Sequence, residues 1–193
     1  MADATNTLAL HIADLRKSGS PSGEDPLRFC TVHRHIGAQE LKEKHHTAHF
    51  KIGCLVTGGR DTGNFRFESI HLGEHMLAMD HLFRIVFGIK KIRFKLQKRE
   101  GYPDNDLMLG KVMDHLQKNN DSLAITREDP PATNNYYKGI QYKMIIEVND
   151  REMEIADGGF VDWTQQLLNN KKERLLISGF GLGLIYKMQN DQV

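Results

Sequence analysis

Three stretches near the C-terminal end decide how this chain is read: Asn135-Tyr136-Tyr137-Lys138-Gly139-Ile140-Gln141-Tyr142, Ile155-Ala156-Asp157-Gly158-Gly159-Phe160-Val161-Asp162, and Ile177-Ser178-Gly179-Phe180-Gly181-Leu182-Gly183-Leu184. The first delivers two aromatic rings at the head of a strand. The second carries a Gly-Gly pair, which lets backbone approach a ligand closely. The third is a glycine-rich junction of strand and helix that leaves room for a flat ring. Taken singly, Gly-x-Gly-x-Gly also serves plain packing of a helix on a sheet. Taken together, the three describe a ligand cradle.

The surrounding sequence supplies the frame. Ile140, Tyr142, Met144, Ile146 and Val148 alternate over nine residues, Asn149-Asp150 marks a turn, and Met153 and Ile155 continue on a returning strand. Leu27 to Ile36 and Thr47 to Val56 alternate in the same way. With the polar stretch Gly37 to His46 between them, they read as a long-looped antiparallel hairpin. Phe65 to Ile70 reads as a further strand, after the turn Gly58 to Gly63. Met79, Leu82, Phe83 and Val86 fall on one helical face. Ile92, Phe94 and Leu96 mark a strand, and Leu109, Val112, Met113 and Leu116 mark a second helix. Asn119 to Asn135 is loop-rich, with room for one short strand. Trp163 to Asn169 is helical, Leu175 to Ile177 is a buried strand, and a last short helix follows the glycines. The sum is an α+β fold, an antiparallel β-sheet flanked by helices. Leu8, Ile12 and Leu15 predict an N-terminal helix, which Ser18 to Gly23 then breaks. The chain therefore divides into residues 1–25, a helix and flexible joint, and residues 26–193, the α+β domain.

Composition excludes several classes. The chain has 193 residues, 26 basic and 25 acidic, for a net charge of +1. Global electrostatics therefore give no argument for nucleic-acid binding. No apolar run approaches the roughly 20 residues of a membrane-spanning helix. The segment Met1 to Asn6 has no basic region followed by an apolar one, so a cytoplasmic location is expected. Cys30 and Cys54 stand in no metal-ligand spacing and are expected to be reduced, buried thiols.

In order and spacing, the three cradle segments resemble the catalytic core of class II aminoacyl-tRNA synthetases. The resemblance is to the histidyl branch and to the histidyl-like regulatory subunit of ATP phosphoribosyltransferase. That family carries a Tyr-Tyr-Thr-Gly strand, a Gly-Gly-Arg-Tyr-Asp segment, and a motif 3 of glycine-rich strand and helix bearing an arginine. The first hairpin is similar to motif 2. The resemblance implies ligand-binding residues at Tyr136, Tyr137, Gly139, Gly158, Gly159, Asp162, Gly179, Gly181 and Gly183, with Arg34, Gln39 and Glu40 from the hairpin. It also implies tRNA or protein partners and a homodimer built by motif 1, although motif 1 is short or missing here.

Departures from the pattern bear on activity. Ile185 and Tyr186 stand where motif 3 would place its arginine, with Lys187 the nearest cation. The motif 2 arginine would fall near Gly37 or Ala38 unless Arg34 takes its place. Ala132 and Phe160 occupy two further arginine positions. Adenylate formation builds charge on phosphates and needs cations there, so these losses oppose amino-acid activation. The favoured expectation is a class II synthetase-like paralogue that keeps the pocket but does not aminoacylate, serving as an accessory, regulatory, ligand-binding or tRNA-binding protein. The alternative is an ATP- and Mg²⁺-dependent adenylating ligase with rearranged residues Arg34, Gln39, Glu40 and Lys187. No residue is assigned a catalytic role.

Two further signals remain. His71-Leu72-Gly73-Glu74-His75 matches the H-x-x-E-H pattern of a zinc hydrolase, with Glu147, Glu152 or Glu154 as a third ligand. Gly73 weakens a helix there, and no metal site is assigned. His45, His46 and His49 fall at the base of the hairpin loop and read as a solvated polar loop, with a contact surface for phosphate or RNA as the alternative. Lys90, Lys91, Arg93, Lys95, Lys98 and Arg99 form a basic run on a strand, either a solvated sheet face or a phosphate-backbone patch.

Overall fold

The computed structural model describes residues 4–19, 25–36, 49–128 and 136–189. In chain order the elements are α1 (Ala4–Ser18), β1 (Leu27–Ile36), β2 (His49–Arg60), α2 (Arg66–His81), β3 (Lys91–Lys98), α3 (Asn105–Asn119), β4 (Ile125–Arg127), β5 (Lys138–Val148), β6 (Arg151–Val161), α4 (Trp163–Leu168), β7 (Glu173–Gly181) and α5 (Leu182–Gln189). The strands form one sheet of order β1-β2-β7-β6-β5-β3-β4. All pairings are antiparallel except β3 with β4. The predicted α+β class and the predicted hairpins, β1–β2 and β5–β6, are present. Asn149 and Asp150 close the second hairpin with φ of 51° and 58°, the left-handed pair that matches strand twist.

Side-chain alternation gives each sheet face its own core. On one face, Leu176 and Phe180 of β7, Tyr142 and Met144 of β5, and Phe94 and Leu96 of β3 pack under α2 and α3, whose Leu72, Met76, Met79, Leu109 and Leu116 are fully buried. On the other face, Leu175 and Ile177 of β7 and Val56 of β2 pack with Ala9 and Ile12 of α1. Thus α1 is seated on the sheet, while residues 20–24, where the joint was expected, lie outside the described residues.

Three expectations are corrected. Residues 65–70 are not a strand: Asn64 and Phe65 take left-handed φ, and α2 starts at Arg66. The helix was masked because it is buried almost all round. Glu68, Ser69, His75 and Asp80 are as buried as Leu72 and Met76, so polar residues occupy core-facing positions and blur the 3.6-residue pattern. The face predicted through Val86 holds only to Phe83. There the backbone widens into a π-helical turn over Leu82–Val86, leaving Val86 65% exposed. Cys30 is exposed rather than buried, because it lies on the face of edge strand β1 opposite α1; Cys54 is buried as expected.

Four of the six residues of the basic run pair with carboxylates. Lys91 pairs with Glu147, Arg93 with Glu152 at 2.6 Å, Lys95 with Glu128 at 2.8 Å and Lys98 with Asp106 at 3.0 Å. This is the ion-paired sheet face rather than a free phosphate patch.

Candidate functional site

A cavity of about 330 Å³ opens on the α1 side of the sheet. Its floor is Ile52 and Cys54 of β2 and Gly179 and Gly181 of β7, which pair across the ladder as Ile52↔Gly181 and Cys54↔Gly179. A Cβ built on Gly179 would meet nothing within 4 Å, and on Gly181 nothing nearer than 3.5 Å. Two side chains are thus missing from the floor where a flat group could lie. Tyr136 and Tyr137 form one wall, with ring centroids 4.8 Å apart, and Tyr136 meets Trp163 edge-on at 5.8 Å. His35 and Phe50, 4.9 Å apart, form the opposite wall.

Not every expected residue borders the cavity. A Cβ on Gly159 would lie 2.6 Å from the Ile140 carbonyl oxygen and 2.7 Å from the Tyr137 ring. Gly159 therefore seats Tyr137 against the sheet instead of touching the open space. Gly158 is closed in by the Ile177 carbonyl, Tyr142 and Ser178. Gly139 has a φ of +68° at a register shift of β5, and Met108 and Tyr102 fill the place of its side chain. A Cβ on Gly183 would come no nearer than 3.5 Å to Lys51, and Asp162 stands at the N-cap position of α4 without a side-chain hydrogen bond to it. Arg34 is exposed, on the face of β1 opposite to that of His35. Gln39 and Glu40 lie outside the described residues, as do His45, His46 and Ala132.

The sequence reading missed a polar relay that runs from the cavity into the sheet. Tyr137 and Gln141 both donate to Asp157 Oδ2, at 3.2 and 3.4 Å. Arg99 Nε and Nη2 donate to Gln141 Oε1 at 2.9 and 2.7 Å, and Nη2 also reaches Gln97 Oε1 at 2.8 Å. Gln97 in turn donates to Glu128 at 3.0 Å. Arg99 is 7% exposed, and its Nη1 is buried without a hydrogen-bond partner. Burial pushes the Asp157 carboxyl above its ordinary range, against the lowering effect of the Tyr137 hydrogen bond. Burial, then the nearby Asp157, raises the Tyr137 phenol well above its usual value.

The histidine motif is arranged differently from a metal site. His75 Nε2 lies 2.9 Å from Thr57 Oγ1 and Nδ1 2.7 Å from Ser178 Oγ, so hydroxyls engage both ring nitrogens. Burial drives its pKa down to about 3. Glu74 is held by Arg28 Nε and Nη2 at 3.0 and 2.8 Å and by His71 at 2.8 Å. Burial raises the Glu74 pKa, but these hydrogen bonds outweigh it and bring the value to about 2. No group of three or more potential metal ligands occurs among the described residues.

No family model matches the sequence, and no curated protein matches it. Solved structures do match. The apo histidyl-tRNA synthetase of S. aureus superposes with a TM-score of 0.69 at 12% identity, covering 98% of this chain and 51% of that one. The fold is that of the class II aminoacyl-tRNA synthetases. A Bacillus halodurans protein described as an ATP phosphoribosyltransferase regulatory subunit/histidyl-tRNA synthetase gives 0.67 at 12% identity, covering 97% of this chain and 64% of that one. A putative threonyl-tRNA synthetase from Aeropyrum pernix gives 0.68 at 8% identity, covering 95% and 46%. The chain thus spans about half the length of the synthetases it matches. At these identities the likeness is one of fold. No helix of the described residues is long and apolar enough to cross a membrane.

Proposed function

We propose that this protein is a class II synthetase-like paralogue that holds a small ligand in the cavity over β7 without activating an amino acid. It then acts as an accessory or regulatory protein toward a protein or tRNA partner, in the cytoplasm. One observation carries this reading: among the described residues the cavity is bordered by aromatic rings and two carboxylates, Asp157 and Glu154, and by no lysine or arginine. An ATP phosphate chain needs cations where its charge develops. Arg34 faces away, Ile185 is buried in the core, and Tyr186 points outward. Among the described residues the lining does not fit ATP and Mg²⁺.

Support for an accessory role comes from the solved relatives, one of which is described as a regulatory subunit. Another is described as the RNA-binding domain of a threonyl-tRNA synthetase. Isothermal titration calorimetry with ATP and Mg²⁺ tests the reading. The expected result is no heat of binding. Micromolar binding would favour the adenylating ligase instead.

A further inference from the structure

We propose that the cavity selects a small organic cation with a flat ring, an arylalkylamine rather than an amino acid or a nucleotide, and that Asp157 is the residue that recognises its charge. This rests on the reading of the cavity as a ligand site.

The argument begins with Asp157. Its two hydrogen bonds, from Tyr137 and Gln141, both end on Oδ2. Oδ1 is left to the cavity that the residue borders. Both donors are neutral, and the cation opposite it on the ladder, Lys143, gives its hydrogen bond to Glu154 and acts on Asp157 only through its charge. The nearest buried guanidinium, Arg99, reaches it only through the Gln141 amide, whose oxygen takes two of the Arg99 hydrogen bonds. That relay fixes Gln141 with its Nε2 toward Asp157 and so fixes the carboxylate without neutralising it. Its proton affinity is correspondingly raised by burial. A half-buried carboxylate with a free oxygen gains most from a positively charged donor, since charge-assisted hydrogen bonds are about twice as strong as neutral ones.

The second carboxylate, Glu154, is already paired with Lys143 at 2.7 Å, so Asp157 is the one left to meet a ligand. The remaining lining specifies shape. The bare backbone at Gly179 and Gly181 admits a planar group, and the rings of Tyr136, Tyr137 and Phe50 offer faces that attract cations. A volume of about 330 Å³ suits a single ring with a short side chain. A zwitterion would bring a carboxylate toward Asp157, with no cation among the described lining residues to receive it.

Calorimetry on the purified protein with four probes tests the proposal: 2-phenylethylamine, 2-phenylethanol, phenylalanine and AMP. The amine is expected to bind at least about tenfold more tightly than the other three. Asp157→Asn is expected to erase that preference, with the amine binding no more tightly than the alcohol. The proposal is overturned if the alcohol or phenylalanine binds as well as the amine, if AMP binds best, if Asp157→Asn keeps the preference, or if no probe binds. The wild-type charge series decides the matter even if the variant does not fold. Lack of amine binding beside a silent ATP titration would sink this inference alone, whereas ATP binding would sink the underlying reading.

Discussion

Lowering the pH from 7 to 5 should weaken the fold through His75. This side chain lies between α2 and the sheet, with its nitrogens on Thr57 and Ser178. Burial drives its pKa from 6.5 to about 3; the charges of His71 and Arg28 add to the shift and Glu74 opposes it. The folded pKa is therefore below the unfolded one. Above pH 6.5 neither state binds the proton and the full stability is present. As the pH falls toward 3, the unfolded chain takes up a proton that the folded chain refuses, and stability is lost. Each unit corresponds to about 1.36 kcal/mol, so pH 5, about 1.5 units below the unfolded value, removes about 2 kcal/mol. For a chain of this length that is a fall in Tm of roughly 4–8 °C. Urea unfolding at the two pH values, for the wild type and His75→Gln, isolates the effect, because the other titrating groups are common to both. The variant should be less stable at pH 7 but should lack this part of the pH dependence. The reasoning is refuted if both proteins lose the same stability between pH 7 and 5.

Other expectations follow from the site and its supports. Gly159→Ala forces a methyl group against the Ile140 carbonyl and the Tyr137 ring and should cost about 1–3 kcal/mol, measured by urea midpoint. Gly179→Ala meets open space, so it should keep the wild-type Tm while reducing amine affinity in calorimetry. Arg174 donates to Glu68 at 2.8 Å and Asp61 at 2.7 Å, with Glu68 only 1% exposed. Arg174→Met strands that charge and should destabilise by about 3–5 kcal/mol in denaturant unfolding. Asp157→Asn should melt higher than the wild type at pH 7. The raised folded pKa means that stability falls as pH rises through the window between 3.8 and that value, and an amide removes the buried charge while still accepting from Tyr137 and Gln141.

Much of the frame was legible because strand alternation is a local signal. Ile140 to Val148 alternates but for Ile145, and Asn149-Asp150 closes the hairpin of β5 and β6, whereas the face of Leu27 to Ile36 that carries Cys30 and Val32 is the exposed one. The helix α2 was partly hidden because His75 and Glu68 are buried polar groups, whose partners on β2, β7 and a loop are distant in sequence. The same distance hid the relay. Arg99 reads as the end of a basic run and Gln141 as one polar strand residue, until pairing of β3 with β5 and β5 with β6 brings them beside Asp157. The glycines were legible as a group but not in their division of labour. Whether a missing side chain leaves room for a ligand, as at Gly179, or for a neighbour, as at Gly159, depends on which face and which bulge the residue occupies.

ATP–pyrophosphate exchange with the proteinogenic amino acids, one at a time, with Mg²⁺, is the most direct test of the central claim. The account predicts no exchange above background for any of them, since no described cation borders the cavity to hold the phosphates. Exchange stimulated by a single amino acid would contradict it and identify an active class II ligase.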